Sequence, residues 1–332
     1  MGNYDSEETE NRYYTRGQVR EIVDYCGELG VEVIPEVDMP GHVTALLAAY
    51  PQYGCRGEQI PVETRAGIFR DILCAGKEET FLFIENLLDD LLELFPGKYF
   101  HIGGDEAPKE RWSSCPLCQK RMEEEGLDTL QQLQGYMENR ITAYLKKKGR
   151  KVIVWNEAAY GGNLDPDTVI QLWTDDRDHK VEQHMERGGK AILSIVKHCY
   201  CDYPYGITSL KDVYRLDMGS EESGKPENGI VGTECLAWTE HIRDGKKLES
   251  MCWPRYAASA EVGWCGGGRP GYPSFEKRMK VLFPVFEKYG IGAARGPEWV
   301  PPEEEAVRQR TEFQKNFSTE AEQEVKKMQE AI

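Results

Sequence analysis

The chain has 332 residues, 40% of them hydrophobic, which is enough to form the core of one large barrel or of two medium-sized domains. Its formal net charge of -16 argues against nucleic acid and anionic membranes as partners, and no run of residues is apolar enough to span a membrane. The polar, acidic residues 1–20 do not form a signal peptide. We therefore expect a cytoplasmic protein for the chain as written, and a periplasmic or secreted one if the natural start lies further upstream.

The predicted elements begin after a charged stretch, residues 1–12, that we expect to be flexible. Residues 15–18 (TRGQ) have the pattern of a capping box, which predicts the start of a helix. Residues 51–74 show little periodicity, which is typical of a long functional loop. Further helices are predicted at residues 79–95 and 108–125 from their apolar periodicity.

Six short apolar runs predict strands, near residues 31–37, 99–102, 151–155, 169–173, 190–196 and 229–235. Because helical patterns alternate with these runs, we predict a parallel α/β fold. Polar and aromatic residues follow the strands, and in a (β/α)8 barrel the carboxyl ends of the strands form the active face. The prediction is a TIM-barrel-like domain at residues 13–295, followed by a charged helical segment at 296–332.

The most informative strand end is residues 99–106 (YFHIGGDE), where a buried strand runs into two glycines and the carboxylates of Asp105 and Glu106. Adjacent carboxylates suit a site in which one group stays protonated while its neighbour stays charged, although the dipeptide is also common on surfaces. Other strand ends carry aromatic and polar residues, namely Asp38, His42, Trp155, Trp173, Tyr200, Asp202, Trp238 and Glu240. Aromatic walls with acids between them are typical of a sugar site.

The ten cysteines leave several alternatives open. Cys115 and Cys118 form a CxxC motif, but no second CxxC lies at the distance found in zinc ribbons. A local disulfide or two reduced structural thiols is favoured over a redox pair or half of a metal site. Cys55 and Cys74 flank one loop region and could form a disulfide if the protein is exported.

Residues 101–106 (HIGGDE) resemble the signature of glycoside hydrolase family 20, the β-N-acetylhexosaminidases. Residues 35–42 (PEVDMPGH) are similar to the strand and loop that precede this signature in the family. The aromatic and acidic strand ends from Trp155 to Glu240 follow in the family's order, so the resemblance covers roughly residues 13–264.

The resemblance implies an exo-acting, retaining hydrolase in which the substrate's own acetamido oxygen attacks the anomeric carbon. Glu106 would be the general acid and then the general base. Asp105 would hold the acetamido group and stabilise the positive charge of the oxazolinium intermediate. The substrate would be an oligosaccharide or glycan that ends in N-acetylglucosamine or N-acetylgalactosamine, and we expect no cofactor and no metal.

The resemblance also implies roles for the surrounding side chains. The sugar pocket would be walled by Trp155, Trp173 and Trp238. Hydrogen bonds to the sugar would come from Tyr200, at the acetamido oxygen, and from Asp202 and Glu240, at hydroxyl groups. Supporting or proton-relay roles would fall to Asp38, His42 and His101, although His101 could equally be an ordinary core histidine.

The pattern departs from the family at its start, because six predicted strands are fewer than the eight of a closed barrel. The first two strands, with an arginine that grips the sugar's outer hydroxyls, have no counterpart. An alternative is therefore a catalytically impaired sugar-binding or structural remnant, whereas a family 18 chitinase is not supported because its DxxDxDxE run is absent. Open strand edges near Val33 and Val231 predict a homodimer or higher oligomer.

Overall fold

The structure is a computed structural model that describes residues 13–64, 67–218, 229–239 and 242–317. The predicted flexible stretch 1–12 and the last part of the predicted C-terminal segment lie outside these ranges. Within them, five strands form one sheet in sequence order: Tyr99–His101 (β1), Lys151–Trp155 (β2), Val169–Leu172 (β3), Lys190–Leu193 (β4) and Ile230–Thr233 (β5). The pairs β1–β2 and β4–β5 are parallel, as the α/β prediction requires.

Helices connect and flank the strands throughout the described ranges. They are Arg16–Glu28 (α1), Thr44–Ala49 (α2), Glu78–Leu92 (α3), Glu110–Ser114 (α4), Pro116–Glu125 (α5), Leu130–Lys147 (α6), Lys180–Glu186 (α7), Val196–Cys199 (α8), Leu210–Tyr214 (α9), Gly245–Cys252 (α10), Arg255–Cys265 (α11), Tyr272–Lys288 (α12), Gly296–Trp299 (α13) and Glu303–Phe317 (α14). None of the helices that the structure describes is long and apolar enough to cross a membrane.

The strand predicted at residues 31–37 is wrong, because this stretch makes only a single parallel bridge, between Glu36 and His101. The backbone N–H of Val37 donates to the His101 carbonyl, and the His101 N–H donates to the Pro35 carbonyl. Pro35 has no N–H of its own to extend a ladder. The stretch is therefore extended and lies beside β1 without forming a regular strand.

Two helix predictions had different outcomes. The capping box at the start of α1 is confirmed, since Gln18 N–H donates to Thr15 Oγ1 and the Gln18 side chain accepts from the Thr15 N–H. The single helix predicted at residues 108–125 is wrong, because Cys115 is extended (φ -83°, ψ 116°) and separates α4 from α5. The following Pro116 disfavours a helical conformation at the residue before it and is well suited to the first position of a new helix.

The chain divides into two compact units, and the boundary falls within β3. The first unit contains residues 2–170 and 176–190 and includes β1 and β2. Buried apolar side chains on these strands, on the residue after β1 and on helices α3 and α6 form a large part of its core: Phe81, Ile84, Leu88, Phe100, Ile102, Leu133, Met137, Ile141, Val152 and Val154. They hold β1 rigid, so that the residues directly after it start from a fixed position.

The second unit contains residues 171–175 and 191–332, and helices α9 and α11 pack together in it. Its most unusual core residue is Arg255, which is fully buried. The guanidinium group donates to backbone carbonyl oxygens of residues 201, 203 and 208 at 2.5–2.8 Å. A buried charge needs such compensation, and here it fastens the loop after Tyr200 to helix α11.

Candidate active site

The backbone after β1 turns at two glycines in left-handed conformations, Gly103 (φ 80°) and Gly104 (φ 109°). A Cβ atom on Gly103 would collide with the side chain of Asp38. The N–H of Gly104 donates to Asp38 Oδ1 at 3.2 Å. Glycine is therefore required here because it permits both the turn and the close approach of Asp38 to the backbone.

The turn places Asp105 and Glu106 beside His42, whose Nε2 lies 3.5 Å from Asp105 Oδ2 and 3.4 Å from Glu106 Oε2. We call Asp38, His42, Asp105 and Glu106 the carboxylate cluster. His42 (φ 53°) and Glu106 (φ 46°) both have left-handed backbones. A non-glycine residue in a sparsely populated conformation costs about 1–3 kcal/mol and is commonly found at functional sites.

The charges of the carboxylate cluster are strongly linked. Hydrogen bonds to Asp105 and Glu106 raise the pKa of His42 to about 11, so the imidazole is protonated at neutral pH. Burial and then the negative charge of Asp105 raise the pKa of Asp38 to about 9, so that this carboxyl group is neutral. The site thus holds one cation and one protonated acid next to Asp105 and Glu106, which is an arrangement suited to moving protons.

His101 lies behind the turn and is buried. Its Nδ1 accepts a hydrogen bond from the Gly103 N–H at 3.0 Å, and its ring centre lies 4.9 Å from that of Trp155. Burial lowers the pKa of His101 to about 3, which keeps the ring neutral. The histidine is thus placed to support the turn from the core.

Sequence reasoning gave no role to Glu36, although it lies in the stretch that resembles the family. Glu36 Oε1 accepts from the Trp155 indole N–H at 2.9 Å and lies 3.4 Å from His101 Nδ1. Trp155 itself is buried, so it forms part of the floor under the turn. The signal in the sequence was the spacing of two between Glu36 and Asp38, which places both on one side of an extended segment.

Sequence reasoning also missed two polar residues on the buried face of α6. Gln134 Nε2 donates to the Gly104 carbonyl at 2.7 Å. Glu138, one helical turn later, is fully buried. Desolvation by burial raises the pKa of Glu138, and the charge of Asp105 adds to this effect. Polar residues four apart on an otherwise apolar helix face were the signal for them.

The second unit contains the remaining predicted residues that the structure describes. Trp173 directly follows β3, and its ring stacks against Tyr200 with the centres 6.2 Å apart and the planes at 29°. Tyr200 is buried and bridges to Leu236, as part of a pairing that also fixes the segment leading to Trp238. Trp238 is 38% exposed, so it presents an aromatic face to solvent.

Asp202 and Glu240 are the two remaining residues predicted to contact the sugar. Asp202 lies just after the bridge between Tyr200 and Leu236 and is buried. Glu240 lies outside the described residues. The structure therefore brings together Asp38, His42, Asp105 and Glu106 in the first unit, and Trp173 with Tyr200 in the second.

The family described as glycosyl hydrolase family 20, catalytic domain, matches residues 1–266, which include the carboxylate cluster and all the described strand ends. The chain belongs to glycosyl hydrolase family 20. A β-hexosaminidase of Porphyromonas gingivalis is 33% identical over 294 residues, which is 84% of this chain and 37% of that protein. A β-hexosaminidase of Akkermansia muciniphila is 32% identical over 282 residues, which is 80% of this chain and 56% of that protein.

Solved structures of family 20 members are similar as well. The β-N-acetylhexosaminidase of Bacteroides fragilis has a TM-score of 0.74 at 32% identity, covering 86% of this chain and 58% of that one. A Streptomyces plicatus β-hexosaminidase mutant has a TM-score of 0.72 at 29% identity, covering 86% of this chain and 56% of that one. The chain spans about half the length of the curated relatives it matches. These similarities confirm the predicted family, and the five strands agree with part of its TIM barrel.

Proposed function

We propose that this family 20 chain removes terminal β-linked N-acetylglucosamine or N-acetylgalactosamine by substrate-assisted, retaining hydrolysis. The observation that carries the proposal is the Asp105–Glu106 pair, held after β1 with the protonated His42 within 3.5 Å of both carboxylates. The similar Streptomyces plicatus structure is a complex with its product, N-acetylglucosamine, which supports the class of substrate.

In the first step, the acetamido oxygen of the substrate attacks the anomeric carbon and the bond to the leaving oxygen breaks. Glu106, which receives a proton from the adjacent His42, gives that proton to the leaving oxygen, and Asp105 accepts the acetamido N–H and stabilises the positive charge on the nitrogen. In the second step, water attacks the anomeric carbon and loses a proton to Glu106, and the oxazolinium ring opens. His42 lies close enough to both carboxylates to keep their orientation and to relay a proton.

The sugar itself would be held by the aromatic and acidic residues that follow later strands. We assign ring contacts to Trp173 and Trp238, an acetamido hydrogen bond to Tyr200, and hydroxyl contacts to Asp202 and Glu240. The assignment is supported by their order along the chain, by the stacking of Trp173 on Tyr200 and by the exposed face of Trp238. Trp155, whose indole N–H donates to Glu36, is assigned to the wall of the sugar pocket by its place in the family's order.

The decisive experiment is hydrolysis of a chromogenic β-N-acetylglucosaminide and the matching galactosaminide. Replacing Glu106 by Gln removes the proton donor, and we expect a loss of about 10²–10⁴-fold in rate. Glu123→Gln, an exposed change of the same kind, is the control and should retain activity. A β-glucoside that lacks the acetamido group should not be cleaved, because the substrate would no longer supply the nucleophile.

The competing hypothesis, a catalytically impaired sugar-binding remnant, makes a different prediction for the same sample. A folded wild-type protein that binds the thiazoline analogue of N-acetylglucosamine without turning over either substrate would support the remnant. Such a result would overturn the proposed hydrolase.

We also propose that the protein self-associates. Helix α1 has no buried residue, and apolar side chains on it and beside it are exposed: Tyr13, Tyr14, Ile22, Tyr25, Leu29, Val31 and Ile34. Such a surface is commonly covered by further protein, and a second copy of the chain is the occupant we propose. Light scattering at micromolar concentration should give a mass of at least two chains, and a mass of one chain would contradict the proposal.

A further inference from the structure

Four cysteines that are far apart in the sequence lie together in the first unit. Cys55, Cys74, Cys115 and Cys118 place their sulfur atoms within 4.8 Å of one another. We call these four residues the cysteine cluster. The sequence showed only the CxxC of Cys115 and Cys118, because the other two members come from the long loop before α3.

The distances between the sulfur atoms identify the kind of site. Cys74 Sγ lies 3.6 Å from Cys118 Sγ and 3.8 Å from Cys115 Sγ, and Cys55 Sγ lies 3.8 Å from Cys118 Sγ. A disulfide requires about 2.05 Å between the sulfurs. Four thiolates at about 2.3 Å from a zinc ion in a tetrahedron lie about 3.8 Å from one another. The spacing is therefore that of a tetrahedral metal site.

The backbone on both sides of the cluster is built to bring the four residues together. Cys115 is the N-cap of α5 and Cys118 lies in its first turn, with Pro116 between them. A Cβ atom on Gly76 would collide with the backbone of Leu117 and Cys118. The turn after Cys74 thus packs directly against the CxxC turn, which only glycine permits at this position.

The long loop is folded back on itself so that its two cysteines meet. Gly54 and Leu73 form an antiparallel bridge, and the Cys74 N–H donates to the Tyr53 carbonyl at 2.8 Å. Lys77 Nζ donates to the Gly54 carbonyl at 2.6 Å, next to Cys55. Both loop cysteines therefore face α5 from a fixed backbone.

Burial and charge also fit a metal site. Cys74 and Cys118 are fully buried, Cys115 nearly so, and Cys55 lies at the edge. Cys115 and Cys118 lie at the N-terminus of α5, where the helix dipole favours the negative charge that bound thiolates would carry.

We propose that the cysteine cluster binds one zinc ion as a structural site with four thiolate ligands. Since the protein supplies all four ligands, no position is left for water or substrate, and this distinguishes a structural zinc from a catalytic one. The ion would fasten the loop at residues 51–74 to helix α5. Hard oxygen-preferring cations such as Mg²⁺ are excluded by the soft thiolate ligands, which select zinc or iron.

The site would also stabilise the neighbourhood of the carboxylate cluster. The Leu73 N–H donates to the Pro40 carbonyl at 3.1 Å, two residues before His42. The Leu73 carbonyl accepts from the Trp112 indole N–H at 2.8 Å, which ties the same segment to α4. Loss of zinc should therefore loosen the segment that holds His42.

The first test is the metal content of the wild-type protein, purified in reducing buffer without a metal-affinity step. We expect about one zinc per chain by mass spectrometry, and X-ray absorption should show four sulfur ligands at about 2.3 Å. Replacement of zinc by Co²⁺ should give the visible bands of a tetrahedral thiolate complex. These measurements need no variant and so do not depend on whether a mutant folds.

The second test uses matched variants. Cys74→Ser and Cys118→Ser should each lose most of the zinc and unfold at lower temperature, whereas Cys252→Ser, a buried cysteine outside the cluster, should keep the full zinc content. Titration of the wild type with a mercurial, in the presence of a zinc-sensitive dye, should release the zinc as the four thiolates of the cluster bind mercury.

Three results would overturn the proposal. The first is a wild-type protein without metal, in which thiol titration under non-reducing conditions shows four cysteines fewer than after reduction, as two disulfides would give. The second is iron in place of zinc in protein expressed with both metals available. The third is full zinc content in a folded Cys74→Ser/Cys118→Ser double variant.

Discussion

The carboxylate cluster and the cysteine cluster draw their residues from the same two segments of the chain but differ in exposure and in chemistry. Each takes two side chains from the chain before α3 and two from the segment after β1. The carboxylate cluster is partly exposed and distributes protons among oxygen and nitrogen atoms. The cysteine cluster is mostly buried and consists of sulfur alone. The same two segments can thus provide the reactive groups in the carboxylate cluster and, in the cysteine cluster, the contacts that keep those segments in place.

Among the variants that separate the two clusters, the largest effect should come from Asp105→Asn, which removes the charge that stabilises the oxazolinium intermediate. We expect kcat/KM to fall by about 10²–10³-fold, as for the loss of one group that stabilises transition-state charge. Zinc content should stay at the wild-type level, because the cysteine cluster shares no ligand with Asp105. Kinetic assay and metal analysis of one preparation test both parts, and loss of zinc here would show that the two clusters are not separable.

Gly76→Ala perturbs the cysteine cluster instead. The added methyl group meets the backbone of Leu117 and Cys118, and overpacking of this kind costs about 1–3 kcal/mol. We expect reduced zinc content and a lower unfolding temperature. The matched control is Gly27→Ala in α1, where a Cβ meets nothing within 4 Å. Equal behaviour of the two variants in calorimetry would argue against the tight turn-on-turn packing.

Asp38→Asn tests whether ionisation of Asp38 causes a loss of activity at alkaline pH. With the pKa of Asp38 raised to about 9, its carboxyl is neutral at pH 7 and gains a negative charge beside Asp105 as the pH passes through 9. Wild-type activity should decline over that range, and the asparagine variant, which remains neutral, should keep its activity to higher pH. Profiles of kcat/KM from pH 6 to pH 10 decide the question, with exposed Asp89→Asn as the control. An unchanged alkaline limb in Asp38→Asn would refute the assignment.

The smallest effect is expected for Glu138→Gln, and it concerns stability. Burial raises the pKa of Glu138 in the folded state above its ordinary value of 4.5. The folded state then binds the proton more tightly than the unfolded state does. The stabilisation of the folded state that results is complete below pH 4.5 and is lost as the pH rises through the pKa of Glu138 in the folded state. The glutamine side chain does not ionise, so the free energy of unfolding of the variant should exceed that of wild type at pH 7 by about 1 kcal/mol.

Urea unfolding of wild type and Glu138→Gln at pH 4 and pH 7 measures the difference. Glu123→Gln, exposed on α5, makes the same chemical change and should show little difference from wild type at either pH. A Glu138→Gln variant that is less stable than wild type at both pH values would mean that the carboxyl group makes a hydrogen bond that the amide cannot replace.

The two clusters also differ in how far sequence could predict them. Asp105 and Glu106 were found because they are adjacent and follow a strand, so local pattern and tertiary position coincide. Glu36 and Glu138 were missed because their partners are supplied by other elements, and their spacing from Asp38 and from Gln134 is a weaker signal than two adjacent carboxylates. Two members of the cysteine cluster, Cys115 and Cys118, could be recognised in the sequence as a CxxC motif. Cys74 is 41 residues from Cys115 in the chain, and only the folded structure shows that the two are in contact.

The errors in the fold have an equally specific cause, since both involve proline. Apolar, β-branched residues near Val33 predicted a strand, but Pro35 limits the ladder to one bridge. Apolar periodicity predicted one helix across Pro116, but the proline starts a new helix and leaves Cys115 extended. Periodicity measures which side chains are apolar, whereas proline decides whether the backbone can continue.

The hydrogen bond from Leu73 to Pro40 has a practical consequence for work with this protein. If the cysteine cluster holds zinc as proposed, this bond links the position of His42 to the zinc supply of the cell and to chelators in the buffer. A preparation made in zinc-poor medium, or stored with a strong chelator, would have an unaltered sequence and intact carboxylates and yet lose activity on storage. Batches would then differ for a reason that assays of substrate and pH alone would never reveal.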